Sequence, residues 1–337
     1  MDKARILVTG GCGFIGSNFI RYMLSKYPYT IINLDKLTYA GNLENLKDVE
    51  GNPHYIFVRG DIASKADLAQ VFDRGIDVVI NFAAESHVDR SILDPDAFIQ
   101  TNINGTFNLL EEVRKREIKR FIQISTDEVY GSLGKEGKFT ESTSLAPNSP
   151  YSASKTSADM LAMAYFKTYG TPVLITRCSN NYGPYQFPEK LIPLIITNAL
   201  EDKELPVYGD GMNVRDWIHV VDHAIAIDTV LHKGQPGNVY NIGGENERTN
   251  IEIVKLILSV LGKPESLIKY VTDRPGHDRR YAIDSTKIKR ELTYSTTTDF
   301  KKGMEETVKW YLDNRGWWER IKSGAYLEYY DLMYKNR

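Results

Sequence analysis

Tyr151 and Lys155 stand four residues apart as Tyr-x-x-x-Lys, at the head of a stretch with helical periodicity over 152–169. On a helix these positions share a face. The ammonium then lies near the phenol, favours the phenolate and makes Tyr151 a usable base near neutral pH. The pattern alone is common. It gains meaning from Ser125-Thr126-Asp127-Glu128, which closes a strand-like run at 121–125. Open α/β sheets place their ligands at the carboxyl ends of strands, and Thr126 there would hydrogen-bond the oxygen that Tyr151 deprotonates. Elimination of water needs a base and an acid at neighbouring carbons, and Asp127 and Glu128 offer both if their surroundings divide the work. A turn-capping role for one of them is the plainer alternative.

A second constellation sits at the start of the chain. Thr9-Gly10-Gly11-Cys12-Gly13-Phe14-Ile15-Gly16 follows an apolar run at 5–9 and leads into a helical pattern at 15–25. Gly10, Gly13 and Gly16 permit a tight turn, close backbone approach to a pyrophosphate, and helix–strand packing. The helix start adds free N–H groups and partial positive charge. Asp35 ends the next strand-like run, nineteen residues after Gly16. A carboxylate there hydrogen-bonds adenine ribose hydroxyls and repels a 2′-phosphate, which argues for NAD over NADP. Lys36 is the counter-signal, since a cation accommodates that phosphate. Asp61 and Ile62 are placed to border the adenine, and Ala83 and Ala84, after Phe82, let a cofactor lie close.

These residues need a scaffold that brings strand ends together. Strand-like runs at 5–9, 30–34, 55–58, 78–82, 121–125 and 173–177 alternate with helical patterns at 15–25, 97–115 and 152–169. Most are apolar for several consecutive residues, as strands buried on both faces of a parallel sheet are. The expected fold is α/β, a Rossmann-type doubly wound parallel sheet with right-handed crossovers. After Cys178 prolines and glycines multiply and the alternation fades. The organisation expected is a cofactor-binding domain over 1–178 and a smaller, interleaved substrate domain over 179–337. A strand at 238–242 returns to the first sheet, and helices at 251–261 and 304–312 belong to the second.

Composition narrows the class. The 337 residues carry 42 Lys+Arg against 44 Asp+Glu, a formal net charge of −2. That balance argues against nucleic acid or an anionic membrane as partner. Two cysteines outside any Cys/His cluster give neither a disulfide framework nor a metal site. The first apolar run is broken by Gly10, Gly11, Gly13 and Gly16, unlike a signal peptide, and no run reaches the ~20 residues that span a bilayer. The cytoplasm is the expected compartment.

The TGGxGFIG turn, Thr126 and the Tyr151/Lys155 pair resemble extended short-chain dehydrogenases acting on sugar nucleotides. More narrowly, Ser125-Thr126-Asp127-Glu128-Val129-Tyr130-Gly131 resembles the signature of dTDP-glucose 4,6-dehydratases. So do Ala83-Ala84-Glu85-Ser86-His87-Val88-Asp89-Arg90, Val207-Tyr208-Gly209-Asp210-Gly211, Arg215-Asp216-Trp217 and the segment from Asp273 to Tyr281. No motif position departs.

The resemblance implies a homodimer using dTDP-glucose, with NAD tightly held and regenerated each turnover. Tyr151 would take the C4 hydroxyl proton as the C4 hydride leaves. Glu128 would take the C5 proton while Asp127 protonates the departing C6 hydroxyl, and the hydride would return to C6. Phe14, Ile15, Leu37, Thr38, Thr101 and Asn181 join the cofactor set by resemblance, with Tyr151 and Lys155. Arg215 and the Asp273–Arg274–His277 loop would meet the diphosphate, with Asn180, Asn250 and Ser86 adding polar contacts. Lys190-Leu191 and Pro206-Val207-Tyr208 would flank the base. Choosing thymine over uracil turns on one methyl group, worth ~1 kcal/mol, so dTDP rests on the resemblance. His87 and Asp89 are left outside the catalytic set. Three readings stay open beside this one: a UDP-glucose 4,6-dehydratase, a 4-epimerase, and a silent NAD-binding sensor or scaffold.

Overall fold

The computed structural model describes residues 3–323 and 325–334. The first half supplies strands β1 (Arg5–Thr9), β2 (Thr30–Asp35), β3 (Tyr55–Arg59), β4 (Val78–Asn81), β5 (Arg120–Thr126) and β6 (Val173–Cys178). The second half supplies β7 (Asn180–Tyr182), β8 (Leu205–Tyr208), β9 (Val214–His219), β10 (Val239–Ile242), β11 (Glu247–Thr249) and β12 (Ile268–Val271).

Seven strands form one sheet in the order β10-β6-β5-β4-β1-β2-β3, every neighbouring pair parallel. The fold is the doubly wound, Rossmann-type α/β architecture expected. Strand order reverses between β1 and β4, whose last residues Thr9 and Asn81 are partners, so a crevice opens there at the carboxyl ends. Strand β10 reaches this sheet from the second half of the chain.

Helices cover both faces. Phe14–Lys26 and Val220–Lys233 bury Phe19, Ile20, Ile227 and Val230 against one face. Lys65–Phe72, Thr106–Lys115 and Pro150–Tyr169 bury Leu68, Leu109, Leu110 and Ala162 against the other. A third core lies beyond the sheet, where Leu191–Leu200, Asn250–Leu261 and Phe300–Asp313 pack Ile195, Ile257 and Met304 together. Pro193 falls in the first turn of its helix, where a missing N–H costs little.

The helical run expected over 97–115 is not one regular helix. A short α turn at Asp96–Phe98 passes into a π-helix at Ile99–Gly105 before regular helix resumes. The wider turn accompanies Asn102 bonding across the structure. Its amide donates to the Glu85 carbonyl (3.0 Å) and the Ser154 hydroxyl (2.8 Å), and its carbonyl accepts from the Glu85 N–H (2.9 Å). Such π segments gather at functional sites. Among the described residues no helix is long and apolar enough to cross a membrane, and no cluster of metal-binding side chains occurs. Cys12 and Cys178 are buried and unpaired.

Candidate active site

The crevice is a cleft of two joined cavities. The larger runs along the carboxyl ends of the sheet, and the smaller lies against the second half of the chain. Ser86, Glu128, Asn180, Glu189 and Lys190 line both.

At the outer end of the larger cavity the main chain shapes the surface. Gly10 has φ +67°, and a Cβ there would sit 2.7 Å from the Ala83 backbone; a Cβ on Gly16 would sit 2.5 Å from the Gly10 carbonyl oxygen. Neither position has room for a side chain. The helix beginning at Phe14 has Gly13 as its N-cap and no side chain capping it, so its first-turn N–H groups are open to an anion. The Asp35 carboxylate accepts from the Cys12 and Leu37 N–H groups, both at 2.8 Å, and burial raises its pKa. Lys36, the signal for a 2′-phosphate, is paired with Asp61 at 2.7 Å, which takes up its charge. Thr38, Asp61, Ile62, Phe82, Ala83, Ala84, Thr101 and Asn181 all line this cavity.

Where the cavities join, β5 ends in Thr126 and a tight turn carries Asp127 and Glu128. Helix Pro150–Tyr169 starts with a Ser149–Ser152 capping box, which fixes its first turn and hence Tyr151. Burial and the Glu128 charge hold the Tyr151 phenol well above its ordinary pKa, while a hydrogen bond with Thr126 draws it down. The Lys155 ammonium donates to the Ile124 carbonyl at 2.6 Å. Burial thus works against the phenolate that the Tyr151/Lys155 spacing favours.

The carboxyl pair is divided. Asp127 is 1% exposed, with Oδ2 lacking a partner among the described residues. Burial, then the Glu128 and Asp216 charges, push its pKa well up, so the neutral acid is favoured. Burial also raises Glu128, but Arg274, Lys190 and Arg215 pull it back toward the carboxylate. One group is held as an acid and its neighbour as the better base.

Around the smaller cavity stand Leu191, Pro206, Val207, Tyr208, Arg215, Asn250, Arg274 and His277. Arg215 is 5% exposed; it donates to the Val214 and Asp278 carbonyls, and its guanidinium lies 4.3 Å from the Tyr281 ring centroid. Arg274 is no surface charge. It reaches Asp89 at 3.3 Å, and its Nε has no partner among the described residues. Burial and the two arginines lower His277 to about 4, which leaves it neutral at pH 7. The Lys190 ammonium donates to the Ser86 carbonyl at 3.0 Å.

Two expected contacts fall outside the cleft lining. Leu37, at φ +60°, packs toward the core and offers its N–H to Asp35. Asp273 accepts from the Arg274 N–H (2.8 Å) and lies 2.6 Å from His277 Nδ1, so it braces the loop. The Asn181 side chain is also committed to protein partners, Ser179 and His223. Conversely Gln186, Phe187 and Glu189 line the larger cavity, and His87, Asp89, Leu194, Trp217 and Tyr334 the smaller one. Asp89, set aside on sequence, accepts from the Tyr208 hydroxyl at 3.0 Å as well as pairing with Arg274. Its place beside Ser86 in a strand-end motif was the available signal. Tyr334 carried none.

The comparisons agree with this geometry. Residues 7–307 match the family model described as GDP-mannose 4,6 dehydratase. A dTDP-glucose 4,6-dehydratase of Xanthomonas campestris pv. campestris is 56% identical over 95% of this chain and 96% of its own length. Among solved structures, a Bacillus anthracis dTDP-glucose 4,6-dehydratase in complex with NAD is 58% identical, with a TM-score of 0.89 over 95% of this chain and all of that one. The Streptomyces venezuelae enzyme with NAD and dTDP bound is 51% identical, with a TM-score of 0.92 over 94% of this chain and all of that one. With that much of its length matched at such identity, the chain belongs to the dTDP-glucose 4,6-dehydratase family of sugar-nucleotide dehydratases.

Proposed function

We propose that this protein dehydrates dTDP-glucose to dTDP-4-keto-6-deoxyglucose, using NAD as a resident cofactor. The observation that carries the reading is the Asp127–Glu128 pair beside Tyr151 and Thr126. Asp127 is buried with Arg215 as its offsetting cation, while Glu128, half-buried on the cavity wall, is offset by Arg274 and Lys190 as well as Arg215. A 4-epimerase moves a hydride and one proton and has no work for two carboxyl groups at this point.

The residues present fit the cofactor. Gly10 and Gly16 leave backbone-lined space, the open helix start suits a pyrophosphate, and Asp35 suits a ribose diol. Bound NAD would supply a hydride acceptor for C4 and a hydride donor for C6, so that net redox is zero, and positive charge that would favour the Tyr151 phenolate. Tyr151, steadied by Thr126, takes the C4 hydroxyl proton. The ketone at C4 acidifies the C5 proton, which passes to Glu128. Asp127 gives its proton to the C6 hydroxyl, which leaves as water, and C5 is then reprotonated. Arg215, Arg274 and Lys190 provide the positive charge that a sugar nucleotide's diphosphate requires.

The two buried, unpaired cysteines support a reducing cytoplasm. For pairing with a second copy, Leu109 and Leu110 are spent in the core. Ile99 and Phe107 in the 96–115 segment and Met160 on the helix Pro150–Tyr169 are among the exposed apolar side chains available to a second copy. The deciding experiment incubates purified protein with dTDP-glucose or UDP-glucose, without added NAD, and assays the 4-keto-6-deoxy product. Product from dTDP-glucose alone is expected. Equal turnover of UDP-glucose removes the dTDP assignment, and no product from either, with NAD supplied, removes the dehydratase reading.

A further inference from the structure

We propose that Arg90 is a positioning residue that fastens together the walls of the cofactor cleft and so sets how long the dinucleotide stays bound. The inference rests on the reading above that NAD occupies that cleft. One wall is the loop after β2, which contributes Thr38, Ala40 and Gly41 to the lining. The other is the segment contributing Gln186, Phe187 and Glu189. The loop's backbone bonds run to itself and to the glycine turn, from Gly41 to Thr38 and from Asn42 to Cys12. Its attachment to the opposite wall is made by side chains, and Arg90 is at their centre.

The Arg90 guanidinium carbon lies 3.8 Å from the ring centroid of Tyr39, which belongs to the first wall. Its Nε donates to Glu189 of the second wall at 2.9 Å, and the Glu189 side chain is 2% exposed. Tyr39 also meets Phe187 edge-on at 5.5 Å, completing the closure. A third element joins at the same guanidinium. Tyr329, on the helix Ala325–Tyr334, has its ring centroid 3.9 Å away, and the same helix brings Tyr334 to the smaller cavity. A planar cation can stack against two rings while donating from its edge. An ammonium on a flexible stem cannot do both. The contacts therefore require arginine and not merely positive charge.

The arrangement ties the C-terminal helix, at the substrate end, to the loop that borders the cofactor. While that helix is docked, opening of the loop breaks the cation–π contact with Tyr39 and exposes the buried Glu189. A cofactor regenerated within each turnover has no need to leave, and such a clasp keeps it in place.

The test compares wild type with Arg90→Lys, which keeps the charge opposite Glu189, and with Tyr39→Ala and Tyr39→Phe. Bound NAD is measured after purification, and its exchange with isotopically labelled NAD is followed with time. The expected result is exchange at least about tenfold faster in Arg90→Lys and Tyr39→Ala. Tyr39→Phe, which keeps the ring but loses the hydroxyl's hydrogen bond to Glu189, falls between wild type and Tyr39→Ala. The fast-exchanging variants depend on added NAD, regain most of kcat at saturation, and keep their KM for dTDP-glucose. Wild-type exchange rates in folded Arg90→Lys and Tyr39→Ala overturn the inference. So does a loss of kcat that saturating NAD does not restore, which marks a merely structural role. Wild-type protein that holds no NAD under any condition overturns the cofactor reading and this inference with it, and is recognisable without any variant.

Discussion

At the cofactor end of the cleft, the surface that meets a ligand is largely main chain. The glycine turn, an open helix start and a carboxylate clamped by two backbone N–H groups come from residues 9–41, and Gly10 and Gly16 leave no space for a side chain. At the substrate end the surface is side chains, gathered from Ser86–Asp89, Lys190, Pro206–Tyr208, Arg215, Arg274 and His277. They are held by one another: Tyr208 and Arg274 by Asp89, His277 by Asp273, Lys190 by the Ser86 carbonyl. Main chain gives a shape that tolerates no added atom. Paired side chains give a charge distribution that can be retuned by single substitutions.

The largest effect belongs to the seam between the two ends. Glu128→Gln is expected to lower dehydration about 10³-fold, the scale of a lost general base. NAD content stays normal, and a little C4 oxidation remains visible as reduced cofactor absorbance. Full dehydratase activity in this variant sinks the assignment.

Gly16→Ala probes the cofactor end alone. Its Cβ meets the Gly10 carbonyl oxygen at 2.5 Å. Overpacking of about 1–3 kcal/mol is expected to weaken NAD binding up to roughly 100-fold. dTDP binding by calorimetry should be unchanged, and an equal loss at both ends would dissolve the contrast. Arg274→Ala probes the other end. It removes charged hydrogen bonds worth about 1.5–3 kcal/mol, so KM for dTDP-glucose should rise about 10- to 100-fold with NAD content intact.

The smallest effect is a displacement in pH. Glu128 works ionised, so the rate falls as pH drops through its pKa. Arg274 is the first charge holding that pKa down against burial, so its removal raises the pKa. The acid limb of kcat for Arg274→Ala should shift to higher pH, and a limb that stays put would separate Arg274 from the base.

The same contrast decides what the sequence could reveal. Strands and helices of the first half follow from unbroken apolar runs, and Gly10, Gly13, Gly16 and Asp35 from spacing along one segment. The π-helix at Ile99–Gly105 did not, because its cause is the bonding of Asn102 to Glu85 and Ser154, which no periodicity encodes. At the substrate end, resemblance identified Arg215 and Arg274. It could not say that Asp89 braces Arg274, or that Asp273 faces the loop and not the cleft. The protonation bias of Asp127 over Glu128 depends on cations up to 146 residues away from Glu128 in sequence, visible only once the chain has folded.

Strand β10 carries a consequence for how the molecule is made. It supplies the outer edge of the seven-stranded sheet beside β6, and helix Val220–Lys233 covers part of the same sheet. During synthesis the cofactor lobe therefore waits, with β6 as an unpaired edge and one apolar face partly bare, until residues beyond Ile242 emerge. An open edge of this kind is where nascent chains pair with strangers. The interleaving of β10 thus leaves a sheet edge exposed until late in synthesis, when most of the chain already exists.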